Sequence, residues 1–265
     1  MNKLDTLSVL VHAPAKTGKT TLGTTAPLPI CALDVEGGWK FIREAGYQTG
    51  IKLRRTVWNP MTGPPPRYDG TWDFCHVVIT SWNELTQAYN YLARTELHDF
   101  RSIVLDSVTE AQRKLKANLR GTEDMTIRDW GQLLVLMDAL IRNMRDLVLL
   151  PGTLQMVVFI AETEMKDGAW RPAMQGQIGR ALPYWVDICG YLSTEKLVDA
   201  NGQSTGKLKR LLIGEGILPT VIAGERVQGA LPDIVDNPRL TEMLTAIYGD
   251  GSVPPPTQER KEPLT

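Results

Sequence analysis

Apolar residues along this chain gather in short runs set apart by polar or glycine-rich breaks. Runs at residues 6–12, 30–33, 75–80, 103–106 and 154–161 have the length and β-branched content of buried strands. The segments between several of them carry helical spacing instead. Ser81, with Glu84 three residues on, has capping-box spacing and predicts a helix running to about Leu97. Further helices are expected at residues 109–119 and 130–149, and a helix-like stretch follows the second strand as far as Gly46. Strands alternating with helices over the first 160 residues predict an α/β fold: a mostly parallel sheet flanked by helices and wound by right-handed crossovers.

The remaining text is less regular. Residues 48–72, rich in Pro, Gly and Arg, read as an irregular insertion, residues 120–129 as a polar loop, and residues 162–177 as a loop carrying Gly168 and Gly176. Past Tyr184 the runs shorten, and residues 186–193 and 207–213 are expected to pair as a C-terminal β-hairpin across Asn201-Gly202. A last helix is expected at residues 238–248. One domain is therefore predicted over residues 1–248, followed by a Pro-rich disordered tail at 249–265.

Composition narrows the function. With 29 Lys and Arg against 30 Asp and Glu the formal net charge is −1, which excludes a strongly basic nucleic-acid coat protein. No apolar stretch reaches the roughly 18 residues of a spanning helix: Asp138 and Arg142 interrupt one candidate, and Pro151-Gly152 the next. The start of the chain lacks the features of a signal peptide. Cys31, Cys75 and Cys189 are dispersed without metal-ligand spacing, so neither a zinc site nor a disulfide framework is expected, and the cytoplasm is the expected compartment.

The chemistry gathers after the first strand. Ala13-Pro14-Ala15-Lys16-Thr17-Gly18-Lys19-Thr20-Thr21 runs from that strand into a helix-like segment. This is the context of a phosphate-binding loop: backbone N–H groups cradle phosphates, Lys19 reaches the β/γ oxygens and Thr20 holds Mg²⁺. Ala13 stands where the pattern has its first glycine, a replacement that requires a backbone without positive φ there. Such a loop needs a carboxylate at the end of a nearby strand to orient the magnesium shell, and Asp106, closing the run Ile103-Val104-Leu105, supplies it. Glu36, just past the second strand, is the candidate to activate the attacking water, with Asp34 as its competitor. Trp39, Trp82 and Trp130 stand where helices begin and read as core anchors.

These segments, with Ala32-Leu33-Asp34-Val35-Glu36-Gly37-Gly38 and residues 103–109, resemble the core of the RecA/RadA recombinase superfamily. More closely they resemble small phage-encoded ATPases of the Sak type, AAA-domain nucleotide-binding proteins that act as single-strand annealing recombinases. The resemblance follows the order of elements over roughly residues 6–245, and its specific motifs are the P-loop and the Walker B strand. It implies a RecA-like fold, ATP and Mg²⁺ as cofactors, Glu36 as the water-activating residue, single-stranded DNA as substrate and a homo-oligomer as the working form. It also implies a polar γ-phosphate sensor at the end of the fourth core strand, where this chain has Glu162-Thr163-Glu164.

Two DNA-facing loops are implied as well. By order these are residues 120–129, with Arg120 and Arg128, and 164–176, with Lys166, Trp170 and Arg171. Rings that stack on bases beside cations that meet phosphates suit single strands. Lys207, Lys209 and Arg210, and separately Arg226, are candidates to reach the nucleotide of a neighbouring subunit. Few residues precede the first strand, so polymer formation is not assumed. The tail is read first as an idle disordered terminus, with a docking peptide for a single-strand-binding protein as the alternative.

Two other functions fit the same loop. One is a small-molecule kinase, with Arg113, Lys114, Lys116 and Arg120 as a phosphate-closing lid, although their spacing equally suits a solvated helix face. The other is a scaffold or loader that binds ATP to hold a replication partner.

Overall fold

The structure, a computed structural model, describes residues 5–42, 53–198, 203–213, 220–227 and 229–249. In chain order the elements are β1 (Leu7–Ala13), α1 (Lys19–Gly23), β2 (Ile30–Asp34), β3 (Arg55–Val57), β4 (Phe74–Val78), α2 (Trp82–Leu92) and β5 (Ser102–Asp106). There follow α3 (Val108–Arg120), α4 (Ile127–Asp146), β6 (Met156–Lys166), β7 (Ala169–Pro172), α5 (Ile178–Trp185) and β8 (Ile188–Val198). The last are β9 (Ser204–Ile213), β10 (Gly224–Glu225), β11 (Ile234–Asp236) and α6 (Leu240–Tyr248).

Nine of these strands lie side by side in the order β11-β9-β8-β1-β6-β5-β2-β4-β3 among the described residues. Every pair from β8 to β3 is parallel, while β9 returns antiparallel on β8 and β11 antiparallel on β9. The expected α/β fold is therefore present, and the C-terminal hairpin continues the main sheet. One strand, β6, lies between β1 and the Asp106 strand β5.

Residues of each strand alternate between two cores. Leu10, Leu33, Val77, Leu105 and Phe159 face α2, α3 and α4. Val9, Val11, Ala32, Val104 and Val158 face α1, α6 and Trp39. Both faces of a parallel strand are covered, which is why these strands read as continuous apolar runs. Leu133, Met137, Leu140, Ile141 and Met144 form the buried stripe of α4, each contributing roughly 1.5–3 kcal/mol by burial. Gly23 ends α1 hard against the sheet, where an added Cβ would lie 3.2 Å from both Trp39 and Val104.

Several boundaries differ from the sequence expectation. Helix α4 begins at Ile127, ahead of Trp130, because Thr126 and Asp129 form a reciprocal capping box. Helix α2 stops at Leu92, with a 3-10 turn at Thr95–Leu97 completing the expected length. The insertion contributes an edge strand, β3. The largest difference lies at residues 162–177: β6 runs on to Lys166 and pairs with β7 across Asp167 and Gly168, whose φ values of 53° and 79° are those of a type I′ turn. The stretch expected to run to Gly46 falls partly outside the described residues, as do the Asn201-Gly202 turn and the tail.

Candidate functional site

At the carboxyl edge of the sheet, the ends of the paired β1 and β6 segments, the loop after β1 and the turn after β2 line an open cleft of about 900 Å³. Ala13 is buried inside β1 without positive φ, so alanine is admissible where the pattern has glycine. The loop turns instead at Lys16, φ 64°, and at Gly18, φ 98°. Helix α1 has five residues, so the loop's own N–H groups carry the attraction for phosphate. Lys19 Nζ lies folded back on this loop, donating to the carbonyls of Ala13 and Pro14 at 3.0 Å each. Burial lowers the pKa of its ammonium, and Glu36, Asp106 and Glu162 pull the other way.

Thr20 Oγ1 donates to Asp106 Oδ2 at 2.7 Å, and the indole N–H of Trp39 donates to the same oxygen at 3.2 Å. Burial pushes the Asp106 carboxyl up to about 7, against the Thr20 hydrogen bond, and the charges of Glu36 and Asp34 raise it further. A buried carboxylate beside a threonine hydroxyl is a hard-oxygen pair of the kind Mg²⁺ takes together with substrate phosphates. Among the described residues no three His, Cys, Asp or Glu side chains form a metal cage. The residues thus fit Mg²⁺ arriving with a nucleotide.

Glu36 is exposed, lines the cleft, and accepts a hydrogen bond from the Ser107 hydroxyl. Asp34, its competitor, is buried and fully engaged: it accepts from the N–H groups of Gly37 at 2.7 Å, Gly38 at 3.0 Å and Trp39 at 3.1 Å, and pairs with His76 Nε2 at 2.8 Å. Asp34 therefore brackets the turn that carries Glu36 and leaves the cleft to Glu36. Phe41 and Ile42 close the same turn and give the cleft an apolar lip, Phe41 being 59% exposed. Ser107, Phe41 and the bracketing role of Asp34 carry no motif in the sequence. The signal that existed was Gly37-Gly38, which marks a tight turn after a strand.

Inside β6, where its pairing with β1 ends, Glu162 lies in register with Ala13 and lines the cleft. Arg113 of α3 grips its carboxylate with two bonds and holds it below the usual carboxylate range. A second cleft of about 800 Å³ lies beyond, lined by Arg113, Lys116, Trp130, Glu164 and Lys166 among others. Lys116 Nζ sits 5.5 Å from the centroid of the Trp130 ring, so Trp130 is half core anchor and half cleft wall.

The residues expected on mobile DNA loops fare differently. Lys166 is exposed on the second cleft, and Arg128 is exposed in the first turn of α4. Arg120 is tied to Asp129 and Glu123. Trp170 and Arg171 sit in β7 and not on a flexible loop. Trp170 exchanges backbone bonds with Thr220 and Ile222 and stacks on Tyr191, and Arg171 is buried against Glu164 and Asp167. Arg113, Lys114, Lys116 and Arg120 belong to a helix packed on the sheet, not to a lid, and Lys114 pairs with Glu110. Arg226 lies toward the opposite end of β1, tied to Asp187 and the Tyr184 carbonyl. Lys207, Lys209 and Arg210 lie on β9, with Lys209 and Arg210 opposite Glu195 and Thr194; their side chains fall outside the described residues.

Residues 5–211 match the family model described as an AAA domain. The chain belongs to that family, and the protein is a P-loop ATPase. Among solved structures it is similar to the flagellar accessory protein FlaH from Methanocaldococcus jannaschii, with 7% identity, TM-score 0.46, and 87% of this chain and 84% of that one covered. It is also similar to a prototypical ATPase from the type III secretion system of pathogenic bacteria, with 16% identity, TM-score 0.41, and coverage of 71% and 52%. No curated protein matches the chain.

Proposed function

We propose that the protein is a Mg²⁺-dependent ATPase that acts on single-stranded DNA in recombination or strand annealing of the phage type. The observation that carries the ATPase part is the convergence of Lys19, Thr20 and Glu36 on one cleft, with the buried Asp106 bonded to Thr20 behind it. On this reading the 13–20 loop takes the phosphates, and Lys19 exchanges the Ala13 and Pro14 carbonyls for β/γ oxygens. Thr20 and Asp106 would hold Mg²⁺, which when bound would supply positive charge to the phosphates. Glu36, aimed by Ser107, accepts a proton as a water oxygen bonds to the γ-phosphorus and the bond to the β–γ bridging oxygen breaks. ADP and inorganic phosphate result. Phe41 and Ile42 offer the apolar surface on which a base rests.

Support for a nucleic-acid substrate comes from the second cleft. Lys116 and Lys166 stand with the part-exposed Trp130 on a surface that adjoins the nucleotide cleft through Arg113, the combination of ring and cations that suits a single strand. A homo-oligomer with β9 cations at its contact, and a single-strand-binding protein at the tail, complete the proposal as partners. The test is the steady-state ATPase rate with and without single-stranded DNA, on wild-type protein and on a Lys116→Glu, Lys166→Glu double variant. Stimulation by DNA that the double variant loses supports the reading. Turnover indifferent to DNA removes DNA from it and leaves the ATPase.

A further inference from the structure

Glu162 and Arg113 form the wall shared by the two clefts. Glu162 faces the nucleotide cleft, and Arg113 lines the second one. Between them run two bonds, Arg113 Nη1 to Glu162 Oε1 at 2.9 Å and Nη2 to Oε2 at 2.7 Å, and Nη1 also donates to Glu110 at 3.0 Å. The guanidinium is 54% exposed and the carboxylate 38%. A pair this open contributes little to stability, and packing does not lock it.

Glu162 lies close enough to Lys19 for each to perturb the other's ionisation. It therefore faces the place where Lys19 meets a terminal phosphate. An ionised carboxylate is an acceptor only and cannot hydrogen-bond a phosphate oxygen, and by charge alone it opposes a third phosphate. The donor that reads that phosphate must come from elsewhere, and the group already in contact is a guanidinium. Its planar fork fits phosphate as well as carboxylate.

We propose that Arg113 is the sensor of the terminal phosphate: Glu162 retains it when the cleft is empty or holds ADP, and it passes at least one N–H donor to the γ-phosphate when ATP is bound. This rests on the reading of the P-loop as an ATP site. It assigns the sensing group to helix α3, with Glu162 of β6 acting as its holder.

The test is titration calorimetry with ADP and with the β,γ-imido analogue of ATP, both with Mg²⁺. Arg113→Gln is expected to weaken the analogue about tenfold, the loss of one charge-assisted hydrogen bond, with ADP affinity unchanged. Arg113→Lys recovers part of the loss. Glu162→Gln frees Arg113 and removes the repulsion, so the analogue binds several-fold tighter while ADP does not. Equal effects of Arg113→Gln on both ligands, no effect on either, or weaker analogue binding by Glu162→Gln overturns the sensor alone. Wild-type protein that binds neither nucleotide, or Lys19→Ala that binds both as well as wild type, overturns the P-loop reading and the sensor with it.

Discussion

Thr20 and Asp106, 86 positions apart in the chain, meet at 2.7 Å, and the oxygen they share is also bonded by the indole of Trp39. Three elements thus converge on one carboxylate oxygen: the P-loop helix, the strand β5 and the turn that carries Glu36. The carboxylate is buried, with the Thr20 hydroxyl and the Trp39 indole as its donors and the Lys19 ammonium acting on it through charge.

That burial sets a sign for stability. The folded Asp106 pKa is raised to about 7, so its contribution is present below the unfolded value near 4 and is lost as pH rises through 7. Asp106→Asn is therefore expected to stabilise the nucleotide-free protein at pH 8 by a few kcal/mol, on the order of 1.4 kcal/mol for each pH unit between the folded and unfolded values. The gain should vanish near pH 4. Denaturant midpoints at the two pH values check this, and the same variant should lose Mg²⁺-dependent turnover.

His12 gives the opposite slope. It is buried between Thr163 Oγ1 at 3.0 Å and the Ile222 carbonyl at 2.7 Å, and burial pushes its pKa down to about 4. Because the folded value lies below the unfolded 6.5, stability is complete above about pH 6.5 and falls as pH drops toward 4, by roughly 3 kcal/mol over that window. His12→Gln is expected to lower stability at pH 7 yet flatten this acid loss. Thermal unfolding at pH 7 and pH 5 measures both effects.

Asp34 predicts a stability defect with a catalytic consequence. Asp34→Ala removes the acceptor of three backbone N–H groups and the partner of His76, at a cost of about 3 kcal/mol or more. Glu36 then loses its mount. Turnover should fall at temperatures where circular dichroism still reports folded protein.

The sequence made local signals legible and long-range ones illegible. The placement of the 13–20 loop, Asp106 and Glu36 after strands of the sheet is legible because each follows an apolar run within a few residues, and the alternation of runs predicts the parallel sheet. The β6–β7 hairpin is not expected from the sequence, although Asp167-Gly168 is a type I′ signal, because Gly168 and Gly176 together read as an open loop. With that hairpin went the setting of Trp170 and Arg171, whose partners at Tyr191 and Thr220 lie far along the chain. The bond between Arg113 and Glu162 spans 49 residues and depends on α3 packing beside β6, which no spacing rule reveals. Asp34 looked like a rival to Glu36 because carboxylate spacing does not show which one takes the backbone N–H groups.

The central claim is that this cleft binds and hydrolyses ATP with Glu36 activating the water. The most direct measurement is single-turnover hydrolysis with Mg²⁺ by wild type, Lys19→Ala and Glu36→Gln, each alongside its equilibrium ATP affinity. The account predicts that Glu36→Gln binds ATP as wild type does and cleaves it about 10²–10⁴-fold more slowly, while Lys19→Ala loses affinity as well. Glu36→Gln cleaving at the wild-type rate would contradict it.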